Sequence, residues 1–146
     1  MVKIILEPQN SEETEVIIKG NINSPDVEAL LNFMKSKSSS SRLILFKEDE
    51  QFLVDAQEVV YLEACDGRIS AVTVNGTFYA KQKLYEIKEI LSALSFAQIS
   101  KGVIVNIDFV KSVQAEFSGN YTLRLKDRKE ILTISRKYFK EFKSKI

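Results

Sequence analysis

The chain has 146 residues, of which 45% are hydrophobic, with 21 Lys plus Arg, 20 Asp plus Glu, one Cys and no His. This composition suits one globular domain with a small attachment and argues against a disordered or collagen-like chain. No apolar run approaches the roughly 18 residues of a membrane span, and the N-terminus lacks a signal-peptide core, so a cytoplasmic location is expected. The single Cys65 excludes an intrachain disulfide, and the absence of His removes imidazole catalysis and His-based metal sites. A cofactor-free binding protein is therefore favoured over an enzyme.

Charge is distributed unevenly along the chain, although the net charge is only +1. Residues 1–60 hold six Lys or Arg against eleven Asp or Glu, whereas residues 61–146 hold fifteen against nine. The basic excess lies in residues 97–146, where eleven basic residues oppose five acidic ones. Such asymmetry points to a polyanion partner for the C-terminal half, although a Lys-rich surface also serves solubility alone.

Residues 1–40 are predicted to form a small β-β-α unit. Strands are expected over Val2–Glu7 and Glu15–Lys19, followed by a helix with Ser24 as N-cap and Pro25 at its first position. Apolar residues of this helix recur at helical spacing and predict a face that packs on a sheet: Val27, Leu30, Leu31 and Met34. Because two strands and one helix make a poor core alone, dimerisation through this unit is a hypothesis.

After a Ser- and Lys-rich linker, residues 42–146 are predicted to form a mainly β domain, which makes the whole chain α+β. Period-two alternation between turn signals predicts strands over 42–47, 51–55, 59–64, 68–74, 77–81, 96–100, 103–105, 112–117, 121–126 and 130–134. Asp66-Gly67 and Asn75-Gly76 are signals for tight hairpins. Short helices are expected over Lys83–Leu94 and after Ser135. The pattern is typical of an antiparallel sandwich or small barrel.

Three basic segments at predicted turns hold the candidate binding residues. They are Asp66-Gly67-Arg68, Ser100-Lys101-Gly102 and Ser135-Arg136-Lys137. A turn holds a long cationic side chain clear of a sheet, and Arg can bind guanine O6 and N7, while Ser hydroxyls and helix-start N–H groups can bind phosphate. Each segment alone is also explained as a polar loop, with Ser135 serving only as a helix cap. Cys65 is expected to be a small half-buried residue, and Asn106 to hold the turn that follows it.

Four stretches of residues 42–146 carry a resemblance to a known family. They are Val59-Val60-Tyr61-Leu62-Glu63-Ala64, Leu84-Tyr85-Glu86-Ile87, the run from Phe96 to Asn106, and Ile134-Ser135-Arg136-Lys137-Tyr138. In this order they resemble the LytTR-type DNA-binding domain of bacterial transcription regulators. The resemblance implies an elongated, mostly antiparallel β fold that inserts basic loops into successive major grooves of direct-repeat promoter sites.

The resemblance also implies roles for individual residues. It assigns DNA base contacts to Arg68, Lys101 and Arg136, and phosphate contacts to Ser100, Ser135 and Lys137. Gln98 and Gly102 depart from the Arg and Ser usual in the family, which implies altered phosphate contacts and a shifted site preference.

The function expected from the sequence is that of a sequence-specific regulator of transcription that binds double-stranded DNA as a homodimer, without a receiver domain, cofactor, metal or small-molecule substrate. The resemblance further implies a stand-alone regulator that a small membrane protein can restrain. The alternative is a protein-interaction β-module that docks an acidic partner through its basic C-terminal face. Cationic turns aligned about 34 Å apart would favour DNA, whereas a compact patch around an apolar centre would favour a protein.

Overall fold

The structure of the protein is a computed structural model that describes residues 3–10, 12, 14–38 and 42–146. The chain divides into two compact units, Met1–Ser39 and Ser40–Ile146. None of the helices in the described ranges combines the length and the apolar character that a bilayer span requires.

The first unit contains one regular element among its described residues, helix α1 (Pro25–Ser38). The helix begins where the sequence predicts it. The amide of Val27 donates to Ser24 Oγ over 3.4 Å, and the amide of Glu28 donates to the Ser24 carbonyl over 3.1 Å. Asp26 and Glu28 lie in the first turn, where their negative charge complements the helix dipole. Local capping chemistry therefore sets this boundary.

The two strands predicted in the first unit are not found, which corrects the expected β-β-α arrangement. Residues 3–7 and 15–19 carry no strand structure, and Val2 lies outside the described residues. Their apolar side chains are exposed, as Ile5 at 67% and Leu6 at 87% show. Alternation predicts a strand only where a third strand or a helix covers the apolar face, because an isolated pair of strands is marginal in water.

The apolar face of α1 also differs from its prediction. Leu30, Leu31 and Met34 are all exposed rather than packed on a sheet. The reason is the same as for the missing strands, since the described residues of this unit form no sheet on which the helix could pack. The unit therefore presents apolar side chains on both its helix and its irregular segments.

The second unit is mainly antiparallel β, which confirms the predicted class. Its large sheet contains β1 (Arg42–Lys47), β2 (Glu50–Asp55), β3 (Val59–Cys65), β4 (Arg68–Thr73), β5 (Gly76–Ala80), β6 (Phe96–Ser100) and β7 (Val103–Asn106). These strands follow the order β2-β1-β5-β4-β3-β7-β6, and all neighbours are antiparallel. A second sheet has the order β10-β9-β8, with β8 (Val110–Ala115), β9 (Tyr121–Leu125) and β10 (Ile131–Ile134). Two helices complete the unit, α2 (Leu84–Ile90) and α3 (Arg136–Lys145).

Helix α2 is shorter than the sequence predicts. It ends at Ile90 instead of continuing to Leu94, and the Ser92 hydroxyl donates to the Glu89 carbonyl over 2.8 Å just beyond its end. Apolar spacing continues after the helix because Leu91 is buried and Leu94 packs against the same core. The apolar residues at positions 91 and 94 therefore continue the helical spacing because they are buried, although the helix itself has already ended.

Two apolar cores cover the faces of the large sheet. The first lies between the large sheet and α2, and Leu45, Leu62 and Ile87 are among its members. The second joins β3, β6 and β7 to the small sheet and α3, through Ile99, Leu123 and Phe142 among others. The small sheet and α3 are thus fixed against the end of the large sheet that carries β6.

Asn106 has the structural role that the sequence predicts. Its side chain is 2% exposed, its Nδ2 donates to the Val59 carbonyl over 2.9 Å, and its Oδ1 accepts from the Asp108 amide over 3.0 Å. One buried side chain therefore caps the 3-10 turn Ile107–Phe109 and ties it to β3.

Candidate nucleic-acid interface

The β3–β4 and β6–β7 turns lie side by side at one end of the large sheet. Strands β3 and β7 are antiparallel and pair Glu63 with Val103, so the end of β3 meets the start of β7. Beyond this pair, the amide of Ala64 donates to the Gly102 carbonyl over 2.8 Å. The turn that precedes Arg68 and the turn that holds Lys101 are therefore neighbours, although more than thirty residues separate them in sequence.

The junction of β10 and α3 reaches the same end of the molecule. The amide of Ser135, directly after β10, donates to the Ile99 carbonyl over 2.8 Å. Ile99 lies two residues before Lys101, so the Ser135-Arg136 junction adjoins the β6–β7 turn. The structure thus brings all three sequence-predicted basic segments together.

A fourth turn, between β8 and β9, joins this group through Arg136. The amide of Arg136 donates to Asn120 Oδ1 over 3.1 Å. The Arg136 side chain lies over Gly119, where an added Cβ would be 3.3 Å from Arg136 Cδ. The sequence predicts this turn but carries no local signal that it supports Arg136. We call the four turns, at residues 66–67, 101–102, 117–120 and 135–136, the cationic end.

Arg68 does not project from the cationic end in this conformation. Its Cζ lies 3.6 Å from the centre of the Tyr79 ring on β5, so the guanidinium stacks on the face of the sheet. The turn before it is a tight hairpin, because Asp66 and Gly67 both have positive φ angles, of 51° and 79°. This stacking distinguishes Arg68 from Lys101 and Arg136, the other two residues predicted to contact bases.

Lys101 is exposed, and the backbone beside it is held by Gln98. Gln98 Nε2 donates to the Lys101 carbonyl over 3.3 Å, and Gln98 Oε1 accepts from Lys88 Nζ over 3.0 Å. Lys88 Nζ also lies 2.8 Å from Glu141 Oε1, which links α2 to α3. The Gln98 amide therefore supports the Lys101 turn from within.

The predicted phosphate-contacting residues lie around the same turns. Lys137 is exposed in the first turn of α3, and Ser100 and Ser135 are half-buried. Within the described structure the Ser135 hydroxyl makes no capping hydrogen bond to α3, so its role as a side-chain cap is not found. At Gly102 an added Cβ would lie 3.6 Å from Ala64 Cβ, an ordinary contact, so the fold does not require glycine there.

Acidic side chains also lie at the cationic end, and Glu116 and Asp66 among them make local hydrogen bonds. The carboxylate of Glu116 accepts from the hydroxyls of Thr122 and Ser118. Asp66 Oδ2 accepts from the Cys65 thiol over 3.6 Å, and the negative charge of Asp66 raises the pKa of Cys65 above its ordinary value. Cys65 is exposed rather than half-buried as predicted, because the strand end that carries it lies beyond the core.

The second unit is therefore an antiparallel β domain whose cationic turns are clustered at one end. This class of domain is suited to a polyanionic partner. The family model described as the LytTr DNA-binding domain matches residues 49–146. The chain belongs to this family of DNA-binding domains, as its sequence motifs indicate.

Curated relatives match nearly the whole chain. The sensory transduction protein LytT of Bacillus anthracis is 25% identical over 143 residues, which are 98% of this chain and 54% of that protein. The chain thus spans about half the length of this relative and of the Bacillus cereus LytT. A Staphylococcus aureus protein named as an uncharacterized HTH-type transcriptional regulator is 28% identical over 141 residues, covering 94% of this chain and 93% of that protein.

A solved structure is similar to the second unit. The LytTr DNA-binding domain of a Bacillus cereus protein superposes with a TM-score of 0.66 at 25% sequence identity. The match covers 73% of this chain and 96% of that domain. The antiparallel arrangement described above is therefore the fold of that domain.

Proposed function

We propose that this protein is a sequence-specific transcriptional regulator that inserts its basic turns into the major grooves of double-stranded promoter DNA. One observation carries the proposal: turns from distant parts of the chain place Lys101 and Arg136 at one end of two packed sheets. Backbone hydrogen bonds join the neighbouring turns, as between Ala64 and Gly102 and between Ser135 and Ile99. These hydrogen bonds hold the turns side by side, closer together than the roughly 34 Å expected for successive grooves. The proposal of DNA over a protein partner therefore rests on the positive charge of these turns and on the DNA-binding family, not on their spacing.

The proposal assigns a role to each basic residue of the cationic end. Arg136 and Lys101 contact bases, and Arg68 joins them once it has left the Tyr79 ring. Ser100, Ser135 and Lys137 contact phosphates, which position the turns without reading sequence. The hydroxyl of Ser135 suits this role because it makes no capping bond to α3 among the described residues.

Turns rather than a helix are the proposed reading elements. Strands separate α1, α2 and α3 from one another in the described chain, so these helices form no consecutive helix pair. The paired helices of a helix-turn-helix place the second helix in the major groove. The proposal therefore predicts that each of several turns contacts only a few bases. It also predicts that the bound sites are direct repeats about one helical turn apart.

Selection of bound sites from random duplex DNA with the full chain, followed by anisotropy titrations, tests the proposal. Arg136→Ala should weaken binding to the selected site by about 1–3 kcal/mol and relax preference at one base position. Lys137→Ala should weaken selected and random duplexes alike and reduce the slope of log K against log salt by about one. Lys126→Ala is the matched control, because Lys126 follows β9 at the end away from the cationic turns.

The results distinguish DNA from a protein partner. Failure to enrich any duplex motif, or an Arg136→Ala variant that binds like the wild type, would contradict the proposal. Binding to an acidic protein with no preference for duplex DNA would instead support the protein-interaction alternative.

The proposal extends to a homodimer assembled through residues 1–40, with restraint by a small membrane protein as a further regulatory step. The exposed apolar side chains of α1, such as Leu30 and Leu31, support self-association through this unit. Sedimentation of the full chain and of a Leu30→Glu variant tests it. Monomeric wild-type protein, or a variant that remains dimeric, would exclude this interface.

A further inference from the structure

Phe117 is the most exposed large apolar side chain in the described structure. It lies in the β8–β9 turn, where its ring is fully accessible to solvent. The sequence pattern places it at the end of a strand, but β8 ends at Ala115. An aromatic ring that contributes nothing to the core raises the question of what it contacts.

The turn that carries Phe117 is ordered by hydrogen bonds on both sides of the ring. The amide of Glu116 donates to the Asn120 carbonyl over 2.9 Å, and the amide of Gly119 donates back to the Glu116 carbonyl over 3.1 Å. The amide of Asn120 also donates to Ser118 Oγ over 3.3 Å. The backbone therefore presents the ring from a fixed position rather than from a loose loop.

The same turn contacts the side chain proposed to read DNA. Arg136 lies against Gly119, two residues after Phe117, and its amide bonds Asn120. The ring and the guanidinium thus belong to one rigid assembly at the cationic end. Arg136 supplies the positive charge beside the ring, while the Glu116 carboxylate is bonded by the Ser118 and Thr122 hydroxyls. This charge suits a polyanionic duplex better than an apolar protein surface.

We propose that Phe117 inserts its ring between base pairs of the bound duplex, next to the bases that Arg136 contacts. The inference rests on the proposed DNA-binding function and adds a fourth, uncharged contact to it. Apolar side chains that enter a base step from the minor groove partly unstack it and bend the duplex. The Phe117 ring is proposed to do the same from the groove that Arg136 enters. The ordered backbone of the turn loses little freedom on insertion, so only the ring itself must be immobilised.

The test uses the full chain and the duplex selected by the wild-type protein from random DNA, with 2-aminopurine substituted at successive steps. Wild-type protein should raise 2-aminopurine fluorescence at one step, and Phe117→Ala should abolish that rise. Phe117→Ala should also weaken binding roughly tenfold, because the contact between the aromatic ring and the bases is lost. The salt slope should not change, because no phosphate contact is lost.

Controls separate this inference from the function on which it rests. Leu53→Ala removes another exposed apolar side chain, 71% accessible on strand β2, and should leave binding and fluorescence unchanged. Because the Phe117 ring is fully exposed, Phe117→Ala should melt at the wild-type temperature. Wild-type protein that selects no duplex contradicts the proposed function itself. Selective wild-type binding with an unaffected Phe117→Ala variant, or a variant that loses only self-association, overturns the insertion of Phe117 alone.

Discussion

The packing of Arg136 on Gly119 predicts that the substitution Gly119→Ala damages DNA binding although it replaces none of the residues proposed to contact DNA. Gly119 has a φ angle of +91°, and a Cβ added there would lie 3.3 Å from Arg136 Cδ and 3.4 Å from its Nη1. The new methyl group therefore pushes the guanidinium away by a few tenths of an ångström. Because Arg136 also bonds Asn120 through its backbone, the displacement falls on the side chain.

Two effects of different origin are expected. The left-handed backbone of an alanine at position 119 should lower the free energy of unfolding by about 1–2 kcal/mol. Displacement of Arg136 should remove most of a base contact that contributes roughly 1–3 kcal/mol, so affinity for the selected duplex should fall about tenfold. Only the second effect depends on Arg136.

Gly76→Ala provides the matched control. Gly76 begins β5 with a φ angle of +114°, and the nearest atom to an added Cβ is Lys47 Nζ at 3.9 Å. This variant carries comparable backbone strain at the opposite end of the sheet. Thermal melting should show both variants destabilised, whereas fluorescence anisotropy should show weakened DNA binding only for Gly119→Ala. Equal affinity of Gly119→Ala and wild type, or equal weakening by both variants, would refute the reasoning.

Three further predictions follow from individual contacts. Gln98→Leu should weaken DNA binding several-fold with little change in melting temperature, whereas Gln57→Leu, exposed at the far end of β3, should change neither quantity. Asn106→Leu should lower the free energy of unfolding by about 1–3 kcal/mol in urea titrations, because a buried carbonyl loses its donor, and an unchanged midpoint would contradict this. Asp66→Asn should lower the pKa of Cys65 and speed its alkylation near about pH 8, so a slower reaction would disprove the role of the carboxylate charge.

Local chemistry made most of the second unit predictable from sequence. Strand β1 and strand β6 have the predicted boundaries. In β1 the alternation matches burial on one face, whereas β6 is buried on both faces and ends at the Lys101-Gly102 turn. The Asp66-Gly67 hairpin follows from the tolerance of these residues for positive φ. The capping role of Asn106 was readable for the same reason, since an Asn side chain bonds the backbone two residues ahead.

Contacts between distant segments were not predictable in this way. Nothing near Arg136 in sequence signals Gly119, and nothing near Arg68 signals the Tyr79 ring. Gln98 could be recognised as a departure from the family, but its support of the Lys101 turn depends on how β6 closes onto β7. The pairing of whole strands determines these contacts. A sequence motif contains only one of the two residues in contact, so the other could not be identified from it.

In the first unit the sequence predicts strands that the structure does not contain among its described residues. Alternation over 2–7 and 15–19 satisfies the pattern of a strand, yet the described residues there are irregular. Alternation of apolar and polar residues shows which face of a strand could be buried. The strand forms only if further strands or a helix pack against that face. The helix after Ser24 was predictable because its start is fixed by hydrogen bonds within one turn.

Helix α3, the last element of the second unit, completes a core formed by strands that are synthesised before it, which has a consequence during synthesis on the ribosome. Phe142 of α3 fills the core beneath β6, and Lys145 Nζ donates to the Phe96 carbonyl over 2.9 Å. A nascent chain that has released the first seven strands still lacks this cover and the turn that carries Arg136. Translation that stops early, or a protease cut just before α3, therefore removes both Phe142 from the second core and Arg136 from the cationic end. The proposed contact of Arg136 with DNA thus requires the complete second unit.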